Sequence, residues 1–360
     1  MEPDRLRALG WDDTFAAAFA PHAERQWQPA RVALEHQHIY RLYTATGECL
    51  ARVRGRLRHR AEAREAFPAV GDWVAMTQPQ GDGDAVIEAT LPRRSKFSRK
   101  AAGELTEEQI VAANIDIVFL VSGLDHDFNP RRIERYLVTA WDGGARPVIL
   151  LNKADLVADD QARFVDEVEA IAAGTPVHLV STRTRQGLEI FDQYLDVGVT
   201  TAFLGSSGVG KSTLINALIG EDRQRTKEVR EKDQRGRHTT THRELLMLPS
   251  GGLLIDTPGM REMQLWEGNV EETFGDIEAL AEGCQFRDCR HDREPKCAVR
   301  AAVEAGTLPA GRLESFQKLQ QELAYQATRQ DQQAQIAQKR KWKVINKSVR
   351  QMYKSRNSTE

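Results

Sequence analysis

Cysteine is scarce in this chain, with four in 360 residues. A disulfide scaffold is therefore excluded as the source of stability. Three of the four, Cys284, Cys289 and Cys297, fall within fourteen residues of one another, a clustering that fits metal ligation better than disulfides. Long apolar runs are also missing. No stretch reaches the roughly 18 apolar residues of a membrane span. The N-terminal "MEPDRLRALGWDD" carries acids where a secretory signal has an apolar core. The expectation is a cytoplasmic protein without a membrane segment. Net charge is nearly absent, at −2, but it is segregated along the chain.

The tail "KRKWKVINKSVRQMYKSR" (339–356) holds eight Lys or Arg and no acid, and "RVRGRLRHR" (52–60) is similarly basic. Such patches suit a polyanion such as nucleic acid, or are simply solvated faces. The candidates for RNA contact are Arg52, Arg54, Arg56, Arg58, Arg287, Arg290, Lys339, Arg340 and Lys341.

The texture of the chain changes several times. Residues 1–29 read as an extension with a short helix near Asp12 to Phe19. Over 30–100, short strands separated by Gly, Asp and Pro fit a small barrel or sandwich. A basic linker is expected at 93–109. Residues 110–270 then alternate apolar strands ("IDIVFLVS", "RPVILLNKAD", "PVHLVST", "TTAFLG") with helices, the pattern of a mostly parallel sheet covered on both faces. A polar, Cys-bearing and helical segment fills 271–335, with Leu313, Phe316, Leu319 and Leu323 on one face, and 336–360 is the basic tail.

"GSSGVGKST" (205–213) sits between a strand and a helix. Gly205, Gly208 and Gly210 allow the tight turn. The amides of Ser206, Ser207 and Val209 with the helix N-terminus suit phosphate, Lys211 suits its β- and γ-oxygens, and the hydroxyls of Ser212 and Thr213 follow. Ser212 is expected on Mg²⁺. "LLNKADL" carries Asn152, Lys153 and Asp155 at the end of an apolar strand. The Asp155 carboxylate can accept from guanine N1–H and its exocyclic amine, a pattern adenine does not offer. Lys153 would cover the base, Asn152 would tie this element to the phosphate loop, and Ser181 and Thr182 would approach guanine O6. "LLIDTPG" gives Asp256 for Mg²⁺ and Gly259 for the γ-phosphate, and "GRHTTTHREL" offers Thr240 or Thr241 as a further Mg²⁺ ligand.

The base-reading element precedes the phosphate loop, the reverse of the usual GTPase order. A sheet is indifferent to where its chain is cut, so the order reads as a circular permutation. The segment after "DTPG" then has a direct covalent link to the C-terminal region. Met260 follows Gly259 where a water-orienting residue is wanted, and His238 is the nearest suitable replacement, or else a plain switch hydrogen bond. "CQFRDCRHDREPKC" supplies Cys284, Cys289, His291 and Cys297, a Cys₃His set for one structural Zn²⁺.

These motifs together resemble the small-ribosomal-subunit-dependent GTPase family RsgA over roughly residues 30–330. The resemblance implies a multidomain α/β protein: an N-terminal oligonucleotide-binding-fold β-barrel, a circularly permuted P-loop GTPase domain and a C-terminal zinc-binding helical domain. It implies GTP hydrolysis stimulated by the small ribosomal subunit during late maturation, contact with its rRNA, and a catalytic role for His238. A monomer is expected. The alternatives are a GTP-dependent RNA-binding scaffold with little hydrolysis, and a permuted GTPase acting on the large subunit.

Overall fold

The computed structural model describes residues 2–36, 38–55, 67–78, 83–100, 108–172, 174–220, 243–256, 270–325 and 328. Strands β1 (Gln28–His36), β2 (Ile39–Tyr43), β3 (Glu48–Val53), β4 (Trp73–Thr77) and β5 (Ala85–Thr90) form the N-terminal barrel. Its order is β1-β2-β3-β5-β4, and β4 pairs back onto β1 from Gln28↔Met76 to Arg31↔Trp73. Closure removes the free strand edges. All pairs are antiparallel except β3–β5, the arrangement of an oligonucleotide-binding fold. Ala30, Val32, Tyr40, Leu42, Val74 and Ile87 fill the interior.

The extension contains two helices, α1 (Glu2–Ala8), which the sequence reading missed, and α2 (Asp13–Ala23). Asp12 caps α2 by accepting from the Thr14 and Phe15 amides at 3.1 Å. Trp11 sets its ring edge-on to Trp73 at 4.7 Å, so the extension is packed on the barrel.

The expected linker at 93–109 is instead half of a hairpin, β6 (Lys96–Lys100) with β7 (Glu108–Ala113). Phe97 explains the correction. It is buried over Gly143, where a Cβ would lie 2.7 Å from its ring. Its arginines are pins, with Arg93 on buried Asp72 at 2.7 Å and Arg94 on Asp12 at 2.6 Å.

The α/β layer contains β8 (Ile117–Gly123), α3 (Pro130–Asp142), β9 (Arg146–Asn152), α4 (Gln161–Glu169), β10 (Val177–Leu179), β11 (Thr200–Leu204), α5 (Lys211–Ile219), β12 (Glu244–Met247) and β13 (Leu253–Asp256). Strand order is β10-β9-β8-β11-β13-β12, parallel throughout except for β12. The inner parallel strands β8, β9 and β11 are almost wholly buried, which is why they read as continuous apolar runs. Parallel alignment brings the carboxyl ends of β8, β9, β11 and β13 to one edge of the sheet, where loops in such folds bind ligands.

A third unit follows, with α6 (Glu271–Ala281), α7 (Ala298–Glu304) and α8 (310–325), packed around Phe274, Ile277, Val299, Leu313, Phe316 and Leu319. Its core also takes Val138 from α3.

A buried arginine locks the first two units together. Arg31 on β1 is 2% exposed. Its guanidinium donates to the carbonyls of Leu9, Gly71 (3.2 Å) and Asn114 (3.1 Å) and to Thr200 Oγ1 (2.8 Å). Those partners belong to the extension, the barrel, the segment after β7 and the first residue of β11. Burial lowers its pKa to about 10, so it stays charged at neutral pH. We predict that Arg31→Met, which keeps much of the aliphatic volume, destabilises the chain by about 3 kcal/mol or more, because several buried acceptors lose their donor. Urea unfolding tests this, and an unchanged midpoint would contradict it.

Candidate functional site

The phosphate loop joins β11 to α5, as the sequence predicts. Its glycines are fixed by contacts. A Cβ on Gly205 would lie 2.4 Å from the Val121 carbonyl. Gly210 adopts φ +100°, and a Cβ there would lie 2.2 Å from Asn152 Nδ2. Gly208 is also left-handed, at φ +82°, with open space around it. The Lys211 ammonium folds over the loop and donates to the carbonyls of Gly205 (2.6 Å) and Ser206. Ser207, Gly208, Ser212 and Thr213 are exposed along the rim, and Val209 is buried beneath.

Asn152 is the last residue of β9, two strands from β11, and is 1% exposed. Its amide donates to the Val209 carbonyl at 2.8 Å, tying the two loops together. Lys153 then takes a left-handed conformation, φ 65°, which turns the chain over the sheet edge. Its ammonium meets Asp125 Oδ2 at 2.5 Å, and that contact holds the Asp125 carboxyl below its ordinary range. Asp155 sits in the 3₁₀ turn Ala154–Leu156.

Ser181, fully buried after β10, donates its hydroxyl to Asp155 Oδ1 at 2.6 Å. The sequence reading placed Ser181 near guanine O6. Its hydroxyl orients the carboxylate. Thr182 is half-buried beside it. Asp256 closes β13 at the same edge.

Two residues that sequence reasoning missed stand beside this loop. Arg132, in the first turn of α3, donates to Asp127 Oδ2 at 2.6 Å and to Ser206 Oγ at 2.9 Å. Ser206 Oγ in turn donates to Asp127 Oδ2 at 2.7 Å. The only sequence signal was the helix start "FNPRR", with Asn129 as cap and Pro130 in the first turn.

The cysteine cluster is a second site. Ligand atoms of Cys284, Cys289, His291 and Cys297 all lie within 4.8 Å of one another. Cys284 Sγ is 3.9 Å from Cys297 Sγ, and His291 Nδ1 is 3.4 Å from Cys297 Sγ. Tetrahedral Zn²⁺ with Zn–S of about 2.3 Å would set sulfurs about 3.8 Å apart, so the donor set fits that ion. Cys297 caps α7, its sulfur accepting from the Arg300 amide at 3.4 Å. Gln317 on α8 donates to the His291 carbonyl at 2.9 Å and ties the loop to the helical core. Arg287, Arg290, Arg293 and Lys296 are exposed around it.

Among the other basic candidates, Arg52 and Arg54 are exposed, but neither is a bare cation. Arg52 pairs with Asp84 at 2.7 Å and Arg54 with Glu88 at 2.5 Å. His238, Thr240, Thr241, Gly259, Met260, Arg56, Arg58, Lys339, Arg340 and Lys341 lie outside the described residues. Among the described residues, no helix is long and apolar enough to cross a membrane.

A phosphate cradle on one strand of a parallel sheet, tied to a guanine-type Asn-Lys-x-Asp loop that comes earlier in the chain, defines a circularly permuted P-loop GTPase. Comparison with known proteins narrows that class. The RsgA GTPase family model matches residues 90–266. The chain is 51% identical over 356 residues to the small ribosomal subunit biogenesis GTPase RsgA of Opitutus terrae, covering 96% of this chain and 97% of that one. The chain belongs to the RsgA GTPase family.

Among solved structures it is similar to YjeQ from Thermotoga maritima, with 30% identity and TM-score 0.62 over 83% of this chain and 99% of that one. It is also similar to YloQ, described as a circularly permuted GTPase, with 26% identity and TM-score 0.59 over 83% and 95% of the two chains. An ABC transporter family model matches 188–352, a stretch containing the strand–loop–helix that P-loop proteins share.

We predict that Gly210→Ala weakens GDP binding by at least about tenfold, because a side chain at that φ is strained and meets the Asn152 amide. Calorimetric titration with GDP measures this, and affinity equal to the parent's would contradict it.

Proposed function

We propose that this protein hydrolyses GTP to GDP and phosphate under stimulation by the small ribosomal subunit, and that it acts in late maturation of that subunit in the cytoplasm as a monomer. The observation that carries the reading is the 2.8 Å bond from Asn152 to Val209, which sets an Asn-Lys-x-Asp loop against a phosphate loop despite their reversed order. The name of the 51% identical relative, a small ribosomal subunit biogenesis GTPase, supports the partner.

The roles follow from chemistry. Asp155, oriented by Ser181, accepts from guanine, and Lys153 covers the base. The amides from Ser206 to Thr213 hold the phosphates, and Lys211 leaves its two carbonyls to neutralise β- and γ-oxygens. Ser212, one of Thr240 and Thr241, and Asp256 would hold Mg²⁺, which supplies charge neutralisation on the phosphates. Gly259 senses the γ-phosphate. His238 orients the attacking water, since Met260 has no group for it.

Cys284, Cys289, His291 and Cys297 would hold Zn²⁺ with no open position, a structural ion that closes the loop. The exposed Arg287 and Arg290 then face rRNA together with the tail cations Lys339, Arg340 and Lys341. Arg52 and Arg54 contribute only by exchanging Asp84 and Glu88 for phosphates, and Arg56 and Arg58 add two further cations in the sequence beside them.

Phosphate release measured with and without purified small subunits tests the reading. Stimulation is expected, and His238→Ala should lower the stimulated rate by about a hundredfold with GTP affinity nearly unchanged. Equal rates with and without subunits would leave a GTP-dependent RNA-binding module in place of a ribosome-activated enzyme. An unaffected His238→Ala rate would remove the histidine from the mechanism.

A further inference from the structure

Helix α3 touches the nucleotide site at one end and the C-terminal unit along its side. Arg132 in its first turn and Asp127 in the loop before it hold the Ser206 hydroxyl at 2.9 and 2.7 Å. Ser206 is also the residue whose carbonyl receives the Lys211 ammonium, so this clamp fixes the peptide on which the phosphate-loop lysine rests.

The neighbouring α3 residues make three contacts with α8. Buried Glu134 accepts from Arg312 at 2.8 Å, Arg135 forks onto both oxygens of Glu322 at 2.5 and 2.8 Å, and Arg131 meets Glu314 at 3.1 Å. Arg312 is itself 5% exposed and forks onto Asp276 of α6 at 2.6 and 2.7 Å. Residues 131 to 135 span only about 6 Å of helix axis, so the two sets of contacts share one rigid turn.

We propose that Arg132 is a positioning residue of the nucleotide site, and that α3 makes its hold on the phosphate loop depend on how α8 is docked. The route runs from the zinc-type loop through Gln317 to α8, across Glu322 and Arg312 to α3, and from Arg132 to Ser206. The hydrogen bond from Arg132 keeps the Asp127 carboxyl below its ordinary range, so the clamp remains charged through neutral pH. A bare surface ion pair contributes little by itself. This one differs in being triangulated onto a loop hydroxyl, with the arginine's own backbone anchored by a neighbouring domain.

The inference rests on the reading of residues 205–213 as the nucleotide site, and titration of the full chain with a fluorescent GDP tests both. Arg132→Ala should weaken GDP by about tenfold, the loss of one charge-assisted hydrogen bond. Arg132→Lys should recover part of that, since it keeps the charge but places its donor nitrogen differently. Ser206→Ala, which changes no charge and little volume, should reproduce most of the loss and carries the test if Arg132→Ala misfolds.

The distal variant Glu322→Gln should weaken GDP by about two- to threefold in the parent and not at all in the Arg132→Ala or Ser206→Ala background. Parent-like GDP affinity in both Arg132→Ala and Ser206→Ala would overturn the positioning role. A Glu322→Gln loss of the same size with and without the clamp would overturn the relay. A parent chain that binds no GDP would overturn the nucleotide site and the inference with it.

Discussion

One hydrogen bond organises the site, the amide of Asn152 on the carbonyl of Val209 at 2.8 Å. It joins the end of β9 to the loop after β11 across the intervening β8. The bond forms because parallel strands deliver their carboxyl ends to the same edge, whatever the order of the chain. Gly210 must be glycine because that amide occupies the space of its Cβ. Lys153 must turn left-handed because Asn152 points down into the loop. Asp155 follows on a short turn, and Ser181, just beyond the neighbouring strand β10, sets its carboxylate. Permutation therefore leaves the site's geometry intact and changes only what is covalently attached to it.

What is attached is held by arginines. Arg31 closes the seam between barrel and sheet with four acceptors, and Arg312 closes the seam between sheet and C-terminal unit with Glu134, Asp276 and two carbonyls. A buried guanidinium gives geometric specificity more readily than net stability, because its desolvation offsets much of the attraction. Apolar contact also joins these units, Val138 of α3 to the C-terminal core among them, but it is non-directional. Seams built on forked donors define one docking position, which suits an assembly that passes information between its parts.

The motifs were legible in the sequence because each is local. The phosphate loop, Asn152 to Asp155 and the Cys₃His set are short spacings that impose their own chemistry, and the parallel sheet announced itself as apolar runs. What was not legible depends on partners far away in the chain. Arg132 looked like one of two helix-start arginines, and only the fold puts Ser206 beside it. Nothing in the sequence around Arg31 or Arg312 marks them, because their acceptors come from distant segments. The basic stretch at 52–60 hid the acids at positions 84 and 88, which a neighbouring strand brings alongside Arg52 and Arg54. Phe97 was the one aromatic residue in an otherwise linker-like segment, and its burial helps to anchor a hairpin.

The central claim is that a permuted chain reads guanine through Asp155, and exchange of the base specificity tests it most directly. In Asp155→Asn, the Ser181 hydroxyl still has an oxygen to donate to, so the new amide nitrogen faces the base and meets the 2-oxo group of xanthine instead of the amine of guanine. Competitive binding of GDP and xanthosine diphosphate to parent and variant is the measurement. Preference for GDP is expected in the parent and for xanthosine diphosphate in the variant. A variant that keeps the parent's preference for GDP would contradict it.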